Sequence, residues 1–140
     1  MNPDAEFDII VQGATGFTGR LIAEHLAMRY GNGGAVKWAM SGRSAAKLAE
    51  VRDMIGAPAA TPLIVADAAD PASLAAMVAR TKCVVTTVGP YQLYGEPLVA
   101  ACAAAGTDYL DLSGEPAWMA EMIAAHDAAA RASGARILFS

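Results

Sequence analysis

Apolar and polar positions alternate along the chain in two rhythms. Short runs rich in β-branched and aromatic residues recur at 7–12, 36–41, 62–66, 83–88, 108–112 and 136–139. Longer, alanine-rich stretches of helical spacing fill the intervals at 18–30, 45–55, 72–80, 97–105 and 116–133. Ile9-Ile10-Val11 and Val84-Val85 are continuous hydrophobes, as expected of strands covered on both faces. Strands that alternate with helices predict a parallel sheet joined by crossovers. Six strands and five crossovers define a doubly wound, mostly parallel α/β sheet in three layers, α/β/α, of Rossmann type.

Punctuation along the chain agrees with this division. Asp70-Pro71, Glu96-Pro97 and Glu115-Pro116 are helix starts, with proline in the first turn where a missing N–H costs nothing. Gly31, Gly56, Gly106 and Gly134 each follow a helical run, where a left-handed closing residue is wanted. On the first helix Phe17, Leu21 and Met28, with Ile22 and Leu26, form the apolar stripe expected to face the sheet.

Composition then narrows the setting. With 140 residues the chain supports one domain, taken as 1–140. Apolar residues make up 55% and charged residues 17%, so some apolar faces are expected to meet another domain or subunit. A net charge of -4 argues against a nucleic-acid platform, which needs clustered Lys and Arg. The acidic start, M-N-P-D-A-E-F-D, is not a signal peptide, and no apolar run reaches the ~18 residues of a membrane span, so a cytoplasmic protein is expected. Cys83 and Cys102 are expected as reduced thiols. His25 and His126 lack partners at metal-ligand spacing, so no metal site is expected. The sequence ends on a strand-like run, as in an N-terminal piece of a longer enzyme whose substrate and dimerisation domain is absent.

The candidate chemistry lies in the loops that follow the strands. Gly13-Ala14-Thr15-Gly16-Phe17-Thr18-Gly19 sits between a strand and a helix, where glycines admit a pyrophosphate to the helix N-terminus. Gly13 makes the tight turn, Gly16 permits close approach and Gly19 lets helix and strand pack; Thr15 and Thr18 offer hydroxyl donors. After the second strand, Ser41-Gly42-Arg43-Ser44 has no acid to bind ribose hydroxyls. Arg43 between hydroxyls suits a 2′-phosphate, which favours NADP(H) over NAD(H); the alternative is a solvated arginine at a helix start. Asp67 is either an adenine-end contact or a turn residue. Val88 leads into Gly89-Pro90-Tyr91-Gln92-Leu93-Tyr94-Gly95-Glu96-Pro97, a loop expected to border the nicotinamide, with Gly89 and Pro90 giving close approach and a fixed backbone and Tyr91 near the ring. Asp111 and Glu115 either cap helices or act at the same edge, and no residue is assigned a catalytic role.

These motifs together resemble the N-terminal domain of the saccharopine dehydrogenase-like oxidoreductases. Gly13 to Gly19, Ser41-Gly42-Arg43-Ser44, Val88-Gly89-Pro90-Tyr91 with Tyr94-Gly95-Glu96-Pro97, and Gly106-Thr107-Asp108-Tyr109-Leu110-Asp111-Leu112-Ser113-Gly114-Glu115 carry the likeness. The resemblance implies an NADP-binding domain of an oxidoreductase, followed by a second domain that completes a small-molecule substrate site and often forms a homodimer. Hydride delivery to an imine, as in saccharopine synthesis, or to an activated double bond, as in trans-acting enoyl reductases, is the implied chemistry. Two other classes share the glycine loop. An extended short-chain dehydrogenase or epimerase would need Tyr-x-x-x-Lys, and none of Tyr30, Tyr91, Tyr94 and Tyr109 is so followed. A non-enzymatic NADP redox sensor would keep the loop and Arg43 without substrate chemistry.

Overall fold

The computed structural model describes residues 2–140. Its six strands form one parallel sheet in the order β3-β2-β1-β4-β5-β6. They are β1 (Phe7–Gln12), β2 (Trp38–Gly42), β3 (Leu63–Val65), β4 (Thr81–Thr86), β5 (Asp108–Leu110) and β6 (Ile137–Leu138). The helices are α1 (Phe17–Tyr30), α2 (Ala45–Met54), α3 (Pro71–Val78), α4 (Tyr91–Tyr94), α5 (Glu96–Ala105) and α6 (Pro116–Ser133). The order reverses between β1 and β4, and the crossovers on either side of that point send α1 and α2 to one face and α3, α5 and α6 to the other.

Two apolar clusters record the layers. On one face Ala23 and Leu26 of α1 and Leu48 and Val51 of α2 pack on Val11, Trp38 and Met40. On the other, Leu74 and Met77 of α3, Val99 and Cys102 of α5, and Trp118 and Met122 of α6 cover Ile10, Val84 and Tyr109. The first face is covered over β1 and β2 but not over β5 and β6. There the register partners Leu110 and Leu138 are exposed.

The helix boundaries follow the punctuation. Asp70 accepts a hydrogen bond from Ala72 N–H at the start of α3, and Ser44 accepts from Lys47 N–H at the start of α2. Gly106 and Gly134 close α5 and α6 in left-handed conformations that a Cβ would strain.

Three expectations are corrected. The buried face of α1 is Gly19, Ala23 and Leu26, whereas Phe17 and Met28 are 74% and 80% exposed. The small residues win because α1 lies so close to the sheet that a Cβ on Gly19 would fall 2.0 Å from the Gly13 carbonyl oxygen. The fourth strand spans 81–86 rather than 83–88: Thr81 is buried with its hydroxyl donating to the Phe7 carbonyl, while Thr87 and Val88 peel off into the loop. A single-turn helix, α4, follows that loop and is too short to leave a periodic pattern.

Both cysteines are free. Burial, then the nearby Asp108 carboxylate, pushes the Cys83 thiol up to about 11, and burial raises Cys102 as well. Among the described residues no helix is long and apolar enough to cross a membrane, and no group of His, Cys, Asp and Glu could hold a metal.

Candidate dinucleotide site

The carboxyl ends of β1 to β4 surround a cavity of about 360 Å³ at the point where the strand order reverses. Gly13, Thr15 and Gly16 form its floor, Gly42 and Arg43 one end, Asp67, Ala68 and Ala69 a side, and Thr87, Val88, Gly89 and Tyr94 the other end.

The floor is built by close backbone approach. Gly13 has φ of +85°, and a Cβ there would lie 2.8 Å from Val88 Cγ2. Gly13 and Ala14 donate their N–H groups to the Ser41 carbonyl, and Gly16 donates to the Gly13 carbonyl, which folds the loop onto β2. Thr87 braces it from the other side, its N–H on the Gln12 carbonyl at 3.1 Å and its hydroxyl on the Gly13 carbonyl at 3.4 Å. At Gly16 a Cβ would meet only the Gly13 carbonyl oxygen, at 3.4 Å, so this glycine leaves an open approach.

The start of α1 is the chemically available part. The α2 and α3 N-termini are capped by their own Ser44 and Asp70, α5 and α6 carry proline in the first turn, and α4 is held by Glu115. Among the described residues α1 alone has neither a side-chain acceptor on its first N–H groups nor a first-turn proline, and its N-cap Gly16 lines the cavity. Free N–H groups at the positive end of a helix dipole are an anion site. The cradle that a Cβ would fill and the uncapped helix above it fit a pyrophosphate.

At one end Arg43 is exposed and makes no hydrogen bond to another described residue. Asp67 is a turn residue, its Oδ1 accepting Ala69 N–H at 2.9 Å, and it also lines the cavity. Of the other expected residues, Ala14, Gly19 and Ser41 are buried beneath the cavity, Phe17 and Thr18 project outward on α1, and Ser44 is spent as a cap.

Pro90 and Tyr91 stand behind the wall. The Gly89-Pro90 peptide is cis. Tyr91 is 7% exposed, packs on Trp118 with ring centroids 5.5 Å apart, donates its hydroxyl to the Thr86 carbonyl and accepts from Leu112 N–H. The tyrosine on the cavity is Tyr94, 47% exposed. Gln12, Ala68, Ala69 and Thr87 were not singled out by sequence reasoning, and Gly42 and Tyr94 stood in its motifs without a role of their own; each adjoins a residue or strand end that was assigned one, and only the strand ends as folded place them. Gln12 Oε1 and Ser41 Oγ, on register-paired strands below the floor, are buried without a hydrogen-bond partner.

Asp111 and Glu115 act as structural ligands of backbone. Asp111 accepts from Tyr109 hydroxyl, Ser113 N–H and Ser140 N–H, and its negative charge, after burial, raises the Tyr109 phenol. Glu115 accepts from Tyr91 N–H at 2.7 Å and Gln92 N–H at 3.3 Å. Neither lines the cavity.

A doubly wound sheet with a glycine cradle at its switch point defines the class: a dinucleotide-binding domain. The chain belongs to the saccharopine dehydrogenase NADP binding domain family, whose model matches residues 9–138, and NADP is its cofactor. It is 51% identical over 142 residues to the trans-acting enoyl reductases of Mycobacterium leprae and Mycobacterium tuberculosis, covering all of this chain and 33% of each relative. The chain thus spans about a third of the length of the curated relatives it matches. Its fold is shared with a saccharopine dehydrogenase (L-Glu forming) of Saccharomyces cerevisiae, at TM-score 0.67 and 18% identity, covering 95% of this chain and 26% of that one. A Citrobacter sp. triphenylmethane reductase complexed with NADP(H) matches at TM-score 0.67 and 24% identity, over 95% of this chain and 48% of that one. The comparisons place the chain in an oxidoreductase family that includes reductases.

Proposed function

We propose that this chain is the cofactor domain of an NADPH-dependent reductase acting on an activated carbon–carbon double bond. The observation that carries the reading is the continuity of one cavity from Arg43, across the uncapped start of α1, to Gly89 and Tyr94. That order is the order of a 2′-phosphate, a pyrophosphate and a nicotinamide. Arg43 pairs with the 2′-phosphate through a charge-assisted fork, with Ser44 beside it. Gly13, Ala14, Thr15, Gly16, Phe17, Thr18 and Gly19 form the phosphate loop, Gly16 and the first-turn N–H groups of α1 giving the direct contacts and Gly19 the close packing that shapes them. Asp67 offers its second carboxylate oxygen to the adenine end. Val88 and Gly89, supported from behind by Pro90 and Tyr91, and with Tyr94 alongside, face the nicotinamide.

Bound NADPH supplies hydride to an electron-poor double bond, and the role of these side chains is to fix its orientation and keep its reactive face toward the substrate. The likeness to trans-acting enoyl reductases favours an enoyl substrate over the imine of saccharopine chemistry. None of the described cavity residues is assigned as proton donor. In the longer relatives' arrangement a further domain would complete a small-molecule substrate site and a dimer, and the 140-residue chain is expected to bind cofactor and turn nothing over.

The test is titration with NADPH and with NADH, followed by nicotinamide fluorescence. Preferential NADPH binding is expected. Equal affinity for the two would remove Arg43 from its role, and binding of neither would sink the reading of the cavity. Steady NADPH oxidation by this chain alone with an enoyl thioester would overturn the expected inactivity.

A further inference from the structure

The far wall of the cavity, Thr87 to Tyr94, is held less by its own strand than by the loop after β5. It contains α4, a single turn of four residues, and a helix that short has no stability of its own. Its first two N–H groups, those of Tyr91 and Gln92, are both accepted by the Glu115 carboxylate, which comes from 24 and 23 residues away. Glu115 is fixed in turn by its own N–H on Ser113 Oγ, and Ser113 N–H is fixed on Asp111. A second strut runs from Leu112 N–H through the Tyr91 hydroxyl to the Thr86 carbonyl. Behind α4, Gly95 sits so tightly against Trp118 that a Cβ would lie 2.5 Å from its ring. The Arg43 and Asp67 end hangs on β2 and β3 and shares none of these contacts.

We propose that Glu115 is a positioning residue for the nicotinamide half of the cofactor, acting through the α4 backbone to set Gly89 and Tyr94 against the ring. The inference rests on the NADP reading of the cavity. Glu115 touches no cavity space itself, so its influence is confined to the wall it holds. A carboxylate is suited to this because both of its oxygens accept, which matches two convergent backbone donors. Loss of one acceptor leaves an N–H of α4 unpaired and frees the wall to move away from the ring.

The experiment compares two ligands on the unmodified chain and on Glu115→Gln, in which one carboxylate oxygen becomes an NH₂ donor opposing a backbone donor. NADPH reports the whole site. Adenosine 2′,5′-bisphosphate carries the adenine and 2′-phosphate but no nicotinamide. The variant is expected to bind NADPH about tenfold more weakly, to bind the bisphosphate within about twofold of the original, and to lose most of the shift in nicotinamide emission. Parallel losses for both ligands would show a general structural role and overturn the proposal, as would unchanged NADPH binding and emission. Glu115→Asp, which keeps the charge but reaches only one of the two N–H groups, gives the same comparison if the glutamine variant does not fold, with a smaller selective loss expected. An original chain that binds neither ligand would overturn the reading of the cavity. Binding of both with no selective loss in the variants would overturn only the role of Glu115.

Discussion

A Cβ on Gly19 would stand 2.0 Å from the Gly13 carbonyl oxygen and 2.7 Å from its carbon, backbone against backbone with no flexible side chain to yield. Gly19→Ala is therefore expected to destabilise the chain by about 1–3 kcal/mol in urea unfolding and to weaken NADPH binding as the loop opens. An alanine variant of unchanged stability would show that α1 can slide off the loop freely. Arg43 has the opposite character, exposed and hydrogen-bonded to no other described residue, so Arg43→Ala should leave stability within about 0.5 kcal/mol. Its cost appears on binding, about 1–3 kcal/mol for NADPH and none for NADH, and equal losses in titration would refute a 2′-phosphate partner. Both residues were legible in the sequence because backbone clearance and a lone charge at a strand end are local properties. Tyr91 against Tyr94 was not legible. The two tyrosines lie three apart on one turn, and what selects which is buried is Trp118 and Glu115, far along the chain.

At the scale of elements, β1 was readable to the residue because its Ile9-Ile10-Val11 run is followed closely by the turn glycine Gly13, while β4 was displaced because tertiary pairing overrides composition. Thr81 looks like a loop residue, yet it pairs with Phe7 in the register that joins the two halves of the sheet. The α1 stripe misled for a related reason, since hydrophobic spacing locates a helix but contact distance decides its face. The edge pair β5–β6 depends on a feature that spacing does not reveal, the Asp108 carboxylate, which accepts from Arg136 backbone and guanidinium groups. Burial raises the Asp108 carboxyl, but these hydrogen bonds and the arginine charge outweigh it, and the net effect holds it below its usual value of 3.8. A carboxyl depressed in the folded state contributes stability above its unfolded pKa and loses it as pH falls through the folded one. Asp108→Asn should thus cost about 1 kcal/mol at neutral pH, discounted for the exposed Arg136, and flatten the fall in melting temperature below about pH 4. The flattening is partial, because Asp8, depressed chiefly by its hydrogen bond from Lys82, titrates in the same direction. An acid limb identical in the two proteins would mean that the β5–β6 pair adds nothing to cooperative folding.

For the whole molecule, the cavity matters because its walls come from both halves of the sheet: β2 and β3 on one side, the β4 loop on the other, and β1 between them. A ligand that spans it contacts segments that otherwise meet through the β1–β4 pairing and the shared core beneath α3 and α5, so binding adds a further link between them and stabilises the fold as a unit. The size of the effect follows from mass action. NADPH at one hundred times its dissociation constant adds about 2.7 kcal/mol, which for a domain of this length is roughly 8–11 °C in melting temperature. NADH at the same concentration should give a markedly smaller shift, because the Arg43 contact contributes nothing. Adenosine 2′,5′-bisphosphate, which reaches β2 and β3 but not the β4 loop, should fall below NADPH, and hydrogen exchange should show why: protection at the start of α1 with both ligands, and at 87–94 with NADPH alone. A bisphosphate that protected 87–94 as strongly as NADPH would show that the two walls are already coupled through the sheet, and that the nicotinamide end of the cavity is formed before any nicotinamide arrives.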